Sequence, residues 1–382
     1  MRVILFTFHL LNTILSYKDI TNRFSNVDSS YQAFFGIGKL GESEFFQINL
    51  KNGFSYLSNR YLPDVYGYEE DNQSEIFVEI DKKGNMSGKI VKTELYLQDN
   101  NLLLENFHFL YFREMQALNS ISFAHKFIDE RFNLIEHLYR NKSIEKRQVS
   151  FYVDSSFSGQ LLFGNIPQRI LQLFPVQGSC SVYQDFPYWG CDIKSIKVLD
   201  VVYDNTKKIA SSFGSSEKRL NVPSEFFQVY NDSILNGYYL NGTCNYMENE
   251  NRTTVRCICD KIATFPSFTI IFGEDLKISL KNEELFQNYI YNCYLLIGID
   301  FQKDEWDFGL PMFRNFIVGL DYENDKMIFY SNDTESINYD IISGNLKSNK
   351  SISKYVLIFL INILSIFSVG CWVIFKQVKT TE

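Results

Sequence analysis

The chain has 382 residues, enough for one large two-lobed domain or two ordinary ones, with a sizeable core in either case. Its net charge of −8 arises from interspersed acids and bases with no long basic run, which argues against a nucleic-acid partner. Phe (35) and Tyr (24) are frequent; with Asn, Ile and Lys they favour AT-rich codons, so the bias points to the genome as much as to function.

In chain order, Val3–Leu15 forms a short apolar run behind Arg2, with the small residue Ser16 at its end. Length and polarity are those of a secretory signal peptide, residues 1–16. Residues 17–30 are read as a short leader, and the strand pattern begins at Tyr31. Runs such as Phe46-Gln-Ile-Asn-Leu50, Ile76-Phe-Val-Glu-Ile80 and Ser150-Phe-Tyr-Val-Asp154 alternate apolar and polar residues, as half-buried strands do. Turn signals at Lys82-Lys-Gly-Asn85 and Tyr322-Glu-Asn-Asp325 punctuate them. Helical patterns are few and short, the best being Phe127–Tyr139 and Asn282–Gln287. The body therefore reads as all-β. The stretch near Gly53-Phe-Ser55 faintly echoes Gly214-Ser-Ser216, as two diverged halves of one ancestral unit would.

Six cysteines lie in the body (Cys180, Cys191, Cys244, Cys257, Cys259, Cys293), an even set that implies disulfides in a secreted context. Proximity in sequence suggests Cys180–Cys191 and Cys244–Cys257, although six cysteines leave many connectivities open. Cys257-Ile-Cys259 does not have zinc or redox spacing, and neighbouring histidines are too few, so neither metal nor cofactor is expected. The histidines His9, His108, His125 and His137 are scattered, and those of the body are read as surface or core. Sequons at Asn72, Asn85, Asn141, Asn231, Asn241, Asn251, Asn332 and Asn349 predict glycosylation of several sites. Residues 335–354 read as a stalk, and Tyr355–Phe375 is uncharged and long enough to cross a bilayer, bordered by Lys354 and Lys376. With residues 376–382 as a short cytosolic tail, the expectation is a single-pass type I membrane glycoprotein of the secretory pathway or cell surface, its body lumenal or extracellular.

A resemblance sharpens this outline. Trp306-Asp-Phe-Gly-Leu-Pro-Met-Phe-Arg-Asn-Phe-Ile-Val-Gly-Leu-Asp321, followed by Tyr322–Tyr330, is similar to the closing segment of pepsin-like aspartic proteases, with Gly309, Phe313, Arg314, Phe316 and Asp321 at the expected spacing. Leu161-Leu-Phe-Gly-Asn-Ile166 resembles the segment before the crossing between lobes, Tyr188-Trp-Gly190 the crossing strand, and Gly84-Asn-Met-Ser-Gly88 the flap. The likeness runs from about Tyr31 to Asn332, strong in the second half and weak in the first. It implies a bilobal pepsin-like fold with a deep interlobe cleft, an N-lobe over residues 31–168, a C-lobe over 169–334 and one C-terminal transmembrane helix. It also implies a Cys259–Cys293 disulfide, from the context of Pro266 and Phe268–Gly273.

In this register the positions that carry catalysis differ from the family. Ser212 stands at one catalytic aspartate and Phe213 at the following Thr, with Gly214, Ser215 and Ser216 completing the loop. Lys51 stands at the other aspartate and Asn52 at its Thr, while Gly53 and Ser55 are retained. Asp81 occupies the flap Tyr position, and Arg131-Phe132-Asn133 takes the place of the N-lobe segment of two apolar residues and a Gly. The family's chemistry needs two carboxylates about 3 Å apart that share one proton, and neither a protonated Lys nor a hydroxyl can replace one.

The expectation is therefore a pseudoprotease without catalytic residues, whose cleft (Lys51, Gly53, Ser55, Asp81, Ser212, Gly214, Ser216) binds a peptide or protein ligand, with Lys51 favouring acidic groups. Residues 17–30 leave little room for an inhibitory propeptide, which suits an enzyme with nothing to restrain. Two alternatives stay open. One is an active aspartic endopeptidase in which a displaced acid such as Asp64 or Asp81 serves. The other is a Ser212–Lys51 hydrolase, which would need a strongly depressed lysine pKa.

Overall fold

The structure, a computed structural model, describes the chain from Ile20 to Ser331 except residues 28–29, 39–41, 59–68, 71–75, 81–83, 99–100, 114, 116–117, 154–157, 183–187, 205–209, 214–218, 250–251, 274–275, 290–291, 300–304, 310 and 315. The fold is mostly β, with 53% strand and 18% helix.

The first half contributes β1 (Ile20–Val27), β2 (Ser30–Ile37), β3 (Glu42–Asn49), β4 (Tyr56–Ser58), β5 (Glu69–Glu70), β6 (Ile76–Ile80), β7 (Gly84–Tyr96), β8 (Leu102–Phe112), β9 (Asn119–Ser122), β10 (Gln148–Val153) and β11 (Ser158–Phe163). Six of them close on themselves in the order β2-β3-β9-β4-β8-β7, and β7 returns to β2 through Gly36↔Tyr96 and Ile37↔Leu95. This is the six-stranded barrel of the fold. The alternation read at Phe46 and Ile48 is real: both are buried while Gln47 and Asn49 are half-buried. Phe46 packs against Phe35 and Phe109, with ring centroids 5.7 and 5.8 Å apart. β6 and β7 form a hairpin in which Gly84 pairs with Ile80 and Gly88 with Ile76.

The second half adds β12 (Val176–Ser181), β13 (Gly190–Val198), β14 (Val201–Asp204), β15 (Ala210–Phe213), β16 (Leu220–Asn221), β17 (Cys244–Asn249), β18 (Arg252–Ile258), β19 (Phe268–Phe272) and β20 (Leu276–Leu280). After these come β21 (Phe286–Tyr289), β22 (Asn292–Leu295), β23 (Ile297–Gly298), β24 (Asp307–Phe308), β25 (Ile317–Asp321) and β26 (Lys326–Tyr330). β13, β15, β24, β16 and β23 lie side by side in one sheet, and β17, β18, β22 and β21 form another.

The expected fold class needs correction on two counts. The body is not all-β, since helices intervene at Leu134–Arg140, Ser224–Tyr230 and elsewhere. The two halves also share one sheet: β10 pairs with β25 from Gln148↔Asp321 to Phe151↔Val318, and β12 and β26 extend the same sheet that carries β1 to β5. Finally, no helix among the described residues is long and apolar enough to cross a membrane. Tyr355–Phe375 lies outside the described residues.

Other local readings shift for identifiable reasons. The chain enters the sheet earlier than Tyr31, because β1, within the segment read as leader, pairs with both β11 and β2. β10 is buried on both faces: Phe151 meets Phe123 and Phe313, while Tyr152 meets Phe174. The helix read over Phe127–Tyr139 is broken by two caps. Asp129 caps a 3₁₀ turn at Glu130–Phe132, and Asn133, in extended backbone, accepts from the Glu136 amide at 3.1 Å to start Leu134–Arg140. The helix at Asn282 ends at Leu285, where β21 begins.

The cysteines pair as Cys180–Cys191, Cys244–Cys257 and Cys259–Cys293. Cys244 and Cys257 are directly opposed across β17 and β18, and Cys293 follows on β22, so the third sheet is stapled twice.

Candidate functional site

The loops that carry Lys51 and Ser212 are built alike. β3 and β4 straddle β9, so the chain between them crosses over a third strand; β3 runs parallel to β9 and β4 antiparallel to it. β15 and β16 straddle β24 with the same parallel and antiparallel senses. The outer neighbours match as well, since β4 is parallel to β8 and β16 to β23. The two crossings therefore share one strand order and one set of strand senses.

The first loop is held by its own backbone. The Asn49 side-chain oxygen accepts from the amides of Lys51 and Asn52, both at 2.8 Å, which turns the chain sharply out of β3. Ser122 donates its hydroxyl to the Asn52 carbonyl, and its amide donates to the Ser55 hydroxyl at 2.9 Å. Gly53 is required by close approach: a Cβ there would lie 2.6 Å from the Lys126 carbonyl oxygen. The Gly53 carbonyl accepts from the Ile128 amide at 3.0 Å. Lys51 is thereby presented by a rigid loop, with its ammonium projecting from it.

That ammonium lies 2.7 Å from the carboxylate of Asp307, a residue 256 positions later. The Asp307 side chain is fully buried and that of Lys51 is 20% exposed. Asp307 belongs to β24, where it is in register with Ser212 on one side and Asn221 on the other. The pair therefore ties the first loop to the central strand of the second. The Lys51 ammonium also lies 5.7 Å from the centre of the Tyr188 ring. Burial, then the charges of Glu305 and Asp307, push the Tyr188 hydroxyl up to about 12, so the phenol stays a neutral donor.

Of the residues expected at the site, Lys51, Gly53 and Ser55 lie together on the first loop. Ser212 is placed by the backbone beside Asp307. Asp81, Gly214 and Ser216 lie outside the described residues, as does Asp64. Arg131-Phe132-Asn133 lies in a 3₁₀ turn and its cap, and the strand threaded through the first crossing is β9, which pairs with β3 from Phe46↔Asn119 to Asn49↔Ser122. The charge of Lys51 faces Asp307.

Asp307 is the residue that the sequence reading passed over. The pattern asks for two apolar residues between Trp306 and Gly309, and an acid there is a departure that could have pointed to a cationic partner. Among the histidines, His125 contacts Asp325 at 3.0 Å and packs on Trp189, whose indole donates to the Phe123 carbonyl at 2.7 Å. This cluster braces the segment beneath Gly53. Of the sequons, Asn141 and Asn241 are exposed at helix ends, Asn231 is half-buried, and Asn85 lies in β7. Asn72, Asn251, Asn332 and Asn349 lie outside the described residues.

Among the described residues, Lys51 and Asp307 give the site a buried carboxylate paired with an ammonium. Among the described residues no group of acids, histidines and cysteines is placed to hold a metal ion.

Comparison with protein-family models finds no match for the chain, and comparison with curated proteins finds none either.

Proposed function

We propose that this chain is a non-catalytic homologue of the pepsin-like aspartic proteases that binds a peptide or protein segment across its two crossings without cutting it. The observation that carries the reading is the Lys51–Asp307 pair. It joins the first loop to β24, the strand between β15 and β16, and in place of a shared-proton acid pair it offers an ion pair that can neither activate water nor protonate a leaving amine. The matched strand order of the two crossings supports the relationship, as does the run of motif residues from Gly309 to Asp321. Three disulfides fit a secretory or extracellular compartment.

The test is proteolysis by the purified chain against a diverse peptide library from acid to neutral pH. No pepstatin-sensitive cleavage is expected, and peptides that bind should be recovered intact. Turnover abolished by Asp307→Asn would overturn the reading in favour of an acid-dependent peptidase. Turnover abolished by Ser212→Ala would point to serine chemistry instead.

A further inference from the structure

Away from the crossings, a pocket of about 380 Å³ opens beside the helical segment that follows Pro223. That volume is at the lower end of the range of roughly 300–1,000 Å³ that small ligands occupy. Its walls include Phe227, Tyr239, Tyr246 and Ile299, and its polar edge includes Gln228 and Asn231. Asn231 begins the sequon Asn231-Asp232-Ser233 and opens a π-helical turn, Asn231–Leu235. The Tyr239 hydroxyl donates to the Asn231 side-chain oxygen at 3.2 Å. That bond fixes the amide so that its nitrogen, the atom a glycan would be linked to, turns toward the exposed Asp232 at 3.3 Å. Tyr246 is 42% exposed, meets Tyr239 edge-on at 6.4 Å, and lines the same pocket as Asn231. The strand that bears Tyr246 is stapled by Cys244–Cys257, so this wall is preorganised.

From this geometry we infer that Asn231 carries an N-linked glycan whose first N-acetylglucosamine packs into the pocket against Tyr239 and Tyr246. The apolar face of a sugar ring covers aromatic surface that water would otherwise meet, while Gln228 offers an amide to its polar rim. Asn141 and Asn241, both exposed at helix ends, serve as references for glycans that stand free in solvent. The inference rests on the secretory assignment within the proposed function but not on the binding role of the crossings.

The experiment is glycopeptide mass spectrometry of the full chain expressed in a eukaryotic secretory host, with endoglycosidase digestion of the native protein. Asn231 should be occupied, and its glycan should stay less processed and more resistant to release than those at Asn141 and Asn241. Tyr246→Ala should abolish that protection. Ser233→Ala, which removes the sequon but leaves Asn231 and the pocket walls in place, should raise the nitration of Tyr246 relative to wild type. Glycans at Asn141 and Asn241 with none at Asn231 would overturn the inference and leave the compartment intact. A glycan at Asn231 processed and released like the other two, with Tyr246 nitration unchanged in Ser233→Ala, would overturn it as well. Absence of glycan at all three sites would overturn both the inference and the secretory assignment.

Discussion

Lys51→Met removes the ammonium that faces Asp307 and leaves a carboxylate in a site with no exposed surface. At the observed 2.7 Å two unit charges attract by about 6 kcal/mol for an effective dielectric of ~20. Most of that gain is cancelled by the cost of dehydrating the carboxylate, so the pair adds little net stability while it is intact. Breaking it from the lysine side restores none of the lost hydration. The expected cost is about 3–4 kcal/mol, within the range for one-sided loss of a buried pair. Asp307→Asn should cost less, about 1–2 kcal/mol, because Lys51 keeps one-fifth of its side chain exposed and can turn its ammonium to water. The two effects must then be non-additive. The double variant should be more stable than the sum of the single losses predicts by about 2 kcal/mol. Urea unfolding with the disulfides intact, at constant slope, measures all four corners of the cycle. Additivity within about 0.5 kcal/mol would refute the reasoning, as would a larger loss from Asp307→Asn than from Lys51→Met.

Glu284 is buried behind the turn that it caps, where its carboxylate accepts from the Lys281 amide at 2.7 Å. Burial raises its pKa from 4.5 to about 7. Because the folded-state value is the higher one, its stabilising contribution is complete below pH 4.5 and is lost as the pH rises through about 7. Glu284→Gln, which keeps an acceptor for the amide, should flatten that dependence and gain at most about 3 kcal/mol over wild type at pH 8; equal pH profiles from thermal unfolding would contradict this. Gly53→Ala forces a Cβ to within 2.6 Å of the Lys126 carbonyl oxygen, a backbone atom that cannot step aside. A loss of roughly 1–3 kcal/mol is expected, and an unchanged urea midpoint would show that the loop is less tightly braced than its bonds imply.

Much of the strand pattern was legible in the sequence because alternation reports one wet and one dry face. It worked at Phe46 and Ile48, and it could not show that β10 is covered on both sides. Two of the cysteine pairs follow from short separations, and the third from a family pattern that brings Cys293 beside Cys257 on the neighbouring strand. The strand threaded through the first crossing was not legible because Asn119-Ser-Ile-Ser122 is polar in composition. Its burial comes from the barrel around it, where the Asn119 side-chain oxygen accepts from the Ser58 amide at 3.0 Å. Long-range pairing was not legible either, since no local signal announces that Gln148–Phe151 will pair with a strand that arrives at Ile317.

Asp307 also decides what a reconstruction of the family's acid pair would meet. Lys51→Asp and Ser212→Asp together would supply the two acids that the resemblance calls for, but Asp307 would then be a third. It lies in register with position 212 and within reach of the side chain at position 51. Peptide hydrolysis by a shared proton requires one acid protonated and one ionised at the same moment, a balance set by repulsion between two like charges. A third buried carboxylate competes for that proton or holds both partners neutral, and either outcome removes the base. Lys51 and Asp307 are thus coupled: the ammonium offsets the cost of burying the carboxylate. Two charges that meet at 2.7 Å across 256 residues, each on a loop or strand fixed by its own backbone bonds, behave as one device. That device ties the first crossing to the central strand of the second.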